Sequence, residues 1–352
     1  MGGQEIRFSE LSEVLTSRGH SVDVFCIRDL ESTNSEERLN NVAIHRYSLV
    51  PDYQKPAIKR LRRRPGPTLG YALWCRQIEP SSFDIFIFNQ WPLAHILLAP
   101  RAIRSKGFID WCEFRAGFPF PVLQKYLPRL AAGNIANSEA LKSKLERASG
   151  GRFAILPSGI FCSRFRSAPA SERRGILYLG RIAEHKNLEL LVSCYESLVA
   201  KGYDGRLCIA GDGPALSSLK ETVRKSKVAT RIDLPGRVDG EKKRELLATS
   251  EVLVLPSRRE GFPRVAAEAM ASGLPIVTAD YLENGTKEIV REHNVGQVTA
   301  PRADALCSGI LEVLQNWQVY SNACLAASES LDWEVLVDRF LQIATSMLRH
   351  RD

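Results

Sequence analysis

Residues 256–275 read PSRREGFPRVAAEAMASGLP, and their parse decides the fold. The apolar run Val252-Leu253-Val254-Leu255 precedes them and Ile276-Val277 follows. This pattern predicts strand, loop, helix, loop, strand. Gly261 and Pro263 stand where the helix should begin, since proline in a first helical turn forfeits no intrahelical hydrogen bond. Gly273 and Pro275 should close it. The N–H groups of Gly261 and Phe262 are then expected to face an anion or hydroxyl beyond the strand's carboxyl end. Glu260 falls in the loop, and Glu268 follows eight residues later, inside the helix. That spacing suits two ends of one ligand rather than one metal ion. A loop glutamate and a solvated helix glutamate would be the plainer account, but the glycine, the proline and the flanking strands favour a ligand.

The same alternation extends outward in both directions. Downstream of residue 174, strands are expected at 175–179, 206–210, 232–234, 252–255 and 276–278. Helices are expected at 188–200, 215–225, 241–249 and 286–291, then two or three more to the end. Upstream, helices are expected at 4–18, 69–79, 92–104, 122–130 and 138–148, the last capped by Ser138. Strands are expected at 21–27, 42–47, 83–88, 107–109, 134–136 and 153–156. Alternating strands and helices imply an α/β chain of two doubly wound parallel-sheet domains, with ligands in a cleft at strand carboxyl ends. The expected divisions are a first domain over 1–160, a linker over 161–173, a second domain over 174–330, and a final helix over 331–352 crossing back to the first. Gly2-Gly3 stand directly before a helix with no strand ahead of them. The expectation is a chain lacking its first strand; a short disordered start before a surface helix is the alternative.

With 352 residues, 44% hydrophobic and 25% charged, the chain has the composition of a globular protein and the length of two domains. The net charge of +8 points to an anionic partner. Eight scattered cysteines form no Cys-x-x-Cys pair, which suggests reduced thiols and a cytoplasmic location. Neither a transmembrane-length apolar run nor a signal-peptide pattern is seen. Lys59-Arg60-Leu61-Arg62-Arg63-Arg64 is the strongest charge run. It reads either as a solvated basic loop or as a patch for an anionic membrane surface, placing the protein peripherally at the inner face. Nucleic acid is not expected, because no aromatic RNA-binding motif accompanies the run.

Three strand-end loops of the second domain carry chemistry. Gly180-Arg181 ends one strand, and Lys186-Asn187 leads into the next helix. Arginine supplies a planar fork and lysine a movable point charge, a pair suited to a diphosphate. Gly211-Asp212-Gly213-Pro214 lacks the third glycine of a dinucleotide fingerprint and reads as a tight turn. Gly236-Arg237-Val238 could hold a base through its backbone.

Taken together, these motifs over residues 175–291 resemble the donor domain of the large retaining GT-B glycosyltransferase family 4. The resemblance rests on Gly180-Arg181 with Lys186-Asn187, Gly211-Asp212-Gly213-Pro214, Gly236-Arg237-Val238, Glu260-Gly261-Phe262-Pro263 through Glu268, Gly273-Leu274-Pro275 and Glu288-Ile289-Val290. The first domain is similar more loosely, through Gly2-Gly3, Gly19-His20, Asn137-Ser138 and Pro157-Ser158-Gly159-Ile160. The resemblance implies that Arg181 and Lys186 hold the diphosphate of a nucleotide sugar, and that Glu260 binds sugar hydroxyls beside Gly261, Phe262 and Pro263. It implies that Glu268 takes the ribose, that Gly180, Arg237 and Val238 line the donor site, and that Gly2 and Gly3 approach the donor from the first domain. Transfer with retention, without metal or cofactor, to a glycan or lipid-linked acceptor is the implied reaction. The chain departs from the family at its missing first strand and at Ile109-Asp110, where many relatives carry His-Asp. Asp110, Glu113 and Arg115 are acceptor candidates, with turn capping and local pairing as the alternative. A sugar-nucleotide epimerase, or a non-catalytic nucleotide-sugar-binding relative, would carry similar donor motifs.

Overall fold

The computed structural model describes residues 3–28, 30, 33–51, 53, 64–115, 117 and 119–349. Gly2 and residues 59–63 of the basic run lie outside the described residues. The chain divides into two compact units, 1–157 with 336–352 and 158–335.

The first unit contains strands β1 (Asp23–Arg28), β2 (Glu36–Leu39), β3 (Val42–Leu49), β4 (Phe86–Asn89), β5 (Gly107–Trp111), β6 (Gly133–Ala136) and β7 (Ala154–Ile155). These strands form two sheets where one was expected, ordered β1-β3-β2 and β4-β5-β6-β7. Among the described residues β1 and β4 each pair on one side only, and no strand joins them. The antiparallel strand β2 was not foreseen. Its signal is the Asn40-Asn41 turn, in which both residues take positive φ (49° and 64°). Such a two-residue turn matches the twist of a hairpin, and asparagine tolerates the left-handed region. The single helix expected at 92–104 is two, Ala94–Leu98 and Arg101–Arg104, because Pro100 breaks the ladder between them. Strands β5 and β6 are buried along their whole length, as a parallel sheet covered on both faces requires. Phe108 packs edge-on against Phe340 of the last helix (Trp333–Arg349).

The second unit holds one six-stranded parallel sheet. Its members are β8 (Ile176–Leu179), β9 (Leu207–Ala210), β10 (Ile232–Gly236), β11 (Val252–Leu255), β13 (Ile276–Ala279) and β15 (Gly296–Thr299). Two short strands, β12 (Arg259–Glu260) and β14 (Glu283–Asn284), pair outside it. The order is β10-β9-β8-β11-β13-β15, so the chain runs one way from β8 and the other way from β11. The reversal between β8 and β11 is a topological switch point, where loops on either side diverge and leave room for a ligand. Strands β11 and β13 are wholly buried. Sequence patterning missed β15, whose Gly-Gln-Val-Thr lacks an apolar run, and the pair β12 and β14, which are too short to show a period.

Residues 161–173 are not a slack linker. Cys162 and Phe165 pack on the core of the second unit. Arg173 is buried and donates to the carbonyls of Ala168, Leu247, Ser250 and Ser272, and to the Ser167 hydroxyl. Its guanidinium also lies 5.0 Å from the Trp317 ring centroid. Burial pulls its pKa down to about 10, so it stays charged at neutral pH. A buried cation surrounded by carbonyls gathers segments whose own hydrogen bonds would otherwise be unmet. Replacing Arg173 with alanine leaves several carbonyls without a donor and should cost at least about 3 kcal/mol. Urea unfolding of the variant checks this, and a loss below about 1 kcal/mol would remove Arg173 as the anchor.

Candidate functional site

The site is built by the loops that follow β8, β9, β10, β11 and β13, all on one edge because the strands are parallel. The loop after β8 starts at Gly180, whose N–H donates to Ala210 at 3.1 Å. Ile182 N–H donates to Asp212 at 2.8 Å, and Gly211 N–H donates to Gly236 at 2.8 Å. These bonds draw the first three loops into backbone contact. A Cβ at Gly211 would lie 1.8 Å from the Gly180 carbonyl, so this contact requires glycine there. The Gly-Asp-Gly-Pro segment is thus a packing seam as well as a turn.

Arg181 is exposed, and its side chain takes no partner among the described residues. The loop beneath it is held by the Tyr178 hydroxyl, which donates to the Arg181 carbonyl at 2.9 Å. Burial, and then the Glu260 charge, push the Tyr178 pKa far above its ordinary value, so it remains a donor. Lys186 ends a short 3₁₀ turn (Glu184–Lys186), and its ammonium pairs with the Glu260 carboxylate. Both side chains are mostly buried, 15% and 17% exposed. The pair joins the loop after β8 to the loop after β11, across the switch point. Asn187 adopts the left-handed region at φ 56° and enters the helix Leu188–Ala200. Its amide donates to the Tyr281 hydroxyl at 3.1 Å and accepts from Arg258 at 3.3 Å. Arg258 N–H in turn donates to the His185 carbonyl at 2.8 Å.

Glu260 lies in β12, whose pairing with β14 fixes its backbone. Gly285 N–H donates to the Glu260 carbonyl at 3.0 Å, and a Cβ on Gly285 would lie 2.0 Å from the Gly261 carbonyl. The N–H groups of Gly261 and Phe262 donate to no partner among the described residues. Pro263 is the N-cap residue rather than a member of the first turn; the helix runs Arg264–Ala271. Glu268 is buried, 3% exposed, and not solvated. Its Oε1 accepts from Lys243 Nζ at 2.7 Å and from Arg264 Nε at 3.1 Å, while Oε2 has no partner among the described residues. Arg237 is exposed and Val238 half-buried, directly after β10.

Arg258, Arg259, Tyr281, Lys243 and Arg264 were not foreseen. Arg264 was legible, because it stands four residues before Glu268 on one helix face. Lys243 and Tyr281 reach the site only through tertiary contact. His185 is half-buried. Burial, followed by the charges of Lys186 and Arg259, pushes its pKa below the usual histidine value. Three cations near the imidazole, Lys186, Arg259 and Arg181, thus add to the effect of burial.

The acceptor candidates separate into two groups in the first unit. Asp110 is buried, and both its oxygens accept from Arg7, at 2.8 and 3.2 Å. Arg7 also donates to the carbonyls of Leu156 and Pro157, so this pair fastens the helix Gly3–Ser17 to β5 and to the end of β7. Glu113 pairs with Arg115 at 2.6 Å, and the Arg115 guanidinium stacks 4.0 Å from the Trp91 ring centroid. Gly3 opens its helix with nothing within 4 Å of where a Cβ would stand. No group of three or more His, Cys, Asp or Glu suited to a metal occurs among the described residues. No disulfide joins the eight cysteines, and no helix among the described residues is long and apolar enough to cross a membrane.

Two family descriptions match the chain. Glycosyltransferase Family 4 matches residues 1–164, and Glycosyl transferases group 1 matches residues 162–328. The phosphatidyl-myo-inositol mannosyltransferase of Mycolicibacterium smegmatis is 24% identical over 97% of this chain and 89% of its own length. Among solved structures, sucrose-phosphate synthase from Thermosynechococcus elongatus superposes with a TM-score of 0.81 at 20% identity, over 99% of this chain and 94% of that one. HepE of Anabaena, solved with UDP and glucose, superposes with a TM-score of 0.73 at 17% identity, over 98% and 96%.

The cations beside His185 give a direct test. Adding a nucleoside diphosphate should raise the His185 pKa, because the bound anion offsets Lys186 and Arg181. Histidine proton resonances titrated with and without ligand report this. An unmoved pKa would place the diphosphate elsewhere.

Proposed function

The chain belongs to the glycosyltransferases of group 1 and family 4, enzymes of GT-B fold that move a sugar from a nucleotide sugar, and on that premise we propose the division of labour at its donor site. The Lys186–Glu260 pair at the switch point is the observation that carries the proposal. A diphosphate offers Lys186 a more highly charged partner than one carboxylate. Binding it releases Glu260, whose oxygens then accept hydrogen bonds from sugar hydroxyls. Arg181, exposed and unpartnered among the described residues, closes on the same phosphates as a planar fork. Charge develops on the diphosphate as the glycosidic bond breaks, and the two cations meet it in a partly buried site. The N–H groups of Gly261 and Phe262 supply further donors at the helix entry. Pro263 sets that entry, and Gly180 admits the phosphates.

Glu268 takes the ribose hydroxyls through Oε2, with Lys243 and Arg264 holding it by Oε1. Backbone at Arg237 and Val238 borders the base. A hexose is the transferred group, and a glycan or lipid-linked hydroxyl is the acceptor; the match to a mannosyltransferase of a phosphatidylinositol supports that class. Glu113 and Arg115 are the acceptor-side candidates, since Asp110 is engaged by Arg7. We further propose retention of anomeric configuration, with the departing phosphate taking the acceptor proton on the same face, and cationic side chains in place of a metal.

A thermal-shift screen of UDP-, GDP- and ADP-sugars selects the donor. With that donor, Lys186→Ala should lower kcat about 10²–10³-fold, the usual loss for a group that meets developing transition-state charge. The anomeric coupling constant in the product's NMR spectrum should match the donor's, and chelator should leave the rate unchanged. An inverted product or a chelator-sensitive rate would overturn the corresponding claim. Independently, Glu268→Ala should weaken donor binding about tenfold, or ~1.4 kcal/mol. Unchanged affinity by calorimetry would remove the ribose assignment.

A further inference from the structure

A second cationic site lies in the first unit, apart from the residues assigned above. A cavity of about 670 Å³ is lined by Arg101, Arg104, Lys106, Arg129 and Arg349, with Leu130 and Leu348 as apolar wall. No carboxylate lines it, and among the described residues none of these five cations forms an ion pair. Ser105 also borders it, but its hydroxyl already donates to Ala102 at 2.9 Å. Lys106 donates to the carbonyls of Pro80 and Phe83, and Arg129 to that of Ser149. The Arg104 Nε is buried and has no hydrogen-bond partner among the described residues.

These facts have one economical resolution. Five like charges around one concavity repel each other, and an anion in the cavity relieves that repulsion. Arginine presents parallel N–H donors that match a phosphate oxygen pair, and four of the five cations are arginines.

The cavity's place in the fold separates it from sugar transfer. Arg104, Ser105 and Lys106 immediately precede β5, and Arg129 and Leu130 precede β6. The cavity therefore sits at the amino ends of these parallel strands. Glu113 and Arg115 follow the carboxyl end of β5, roughly 15 Å away along a five-residue strand. Ligands that react in such sheets bind at the carboxyl ends. We propose that this cavity is an accessory site for a phosphate ester, occupied by a phospholipid headgroup or by a soluble phosphate compound. The proposal does not depend on the donor-site assignments.

The test uses the full chain carrying Arg181→Ala and Lys186→Ala, so that phosphate binding at the donor loops does not interfere. Two probes are applied: inorganic phosphate by calorimetry, and sedimentation with phosphatidic acid vesicles against phosphatidylcholine vesicles. Adding Arg104→Gln and Arg129→Gln should weaken whichever probe binds by at least tenfold. Loss of phosphate binding alone identifies a soluble ligand; loss of vesicle binding alone identifies the headgroup. Arg101→Gln with Arg349→Gln, at two exposed positions, repeats the test without disturbing a buried group. Equal binding by parent and variants, or binding of neither probe by the parent, overturns the site.

Discussion

The ion pair of Lys186 with Glu260 is the constraint on which the donor site depends. It spans the one place in the six-stranded sheet where neighbouring strands, β8 and β11, send their loops in opposite directions. The loops after β8, β9 and β10 are joined by backbone hydrogen bonds along the seam at Gly211. Across the switch point one backbone bond, from Arg258 N–H to the His185 carbonyl, accompanies the ion pair, which joins side chains that can rotate. An unliganded site needs such a join, because an unpaired carboxylate and an unpaired ammonium, each mostly buried, would both be costly. The same join is replaceable, because an incoming anion offers the ammonium an equivalent partner.

The neighbouring groups follow from this arrangement. Tyr178 supports the Arg181 carbonyl from below, and Asn187 links Arg258 to Tyr281. Glu268 repeats the logic one step further along, with two cations on a single oxygen and the other oxygen without a partner among the described residues. The cations thus do two things: they add to the burial that depresses His185, and they orient the carboxylates.

Much of this was legible in the chain itself. The second unit's strands β8, β9, β10 and β11 are short, largely apolar runs ended by glycine or proline, β13 follows Pro275 directly, and such runs declare themselves. Arg181, Lys186 and Glu260 stand in loops between a strand and a helix, and Glu268 stands eight residues after Glu260 inside the helix, where spacing has meaning. What escaped notice depends on contact between distant segments. No periodicity marks β12 against β14, and a lysine in the charged helix Gly240–Thr249 looks like any other solvated lysine. Asp110 shows the converse. Its position after an apolar strand suggested a reactive edge, but the partner that decides its role, Arg7, lies 103 residues earlier. The division of the first unit into two sheets was hidden for a similar reason, since pairing between strands is a property of the fold and not of either strand.

The pairing of β12 with β14 carries a consequence for how such a pocket can diverge. The backbone that presents Glu260 is steadied by residues 283–285, through a parallel ladder and through a glycine pressed against Gly261. A change in the length or composition of that second segment moves the glutamate's main chain while leaving its side chain chemically intact. If Glu260 holds sugar hydroxyls as proposed, preference among sugars that differ in one hydroxyl can drift through a loop that need never touch the sugar, while the acidic residue itself stays fixed across the drift.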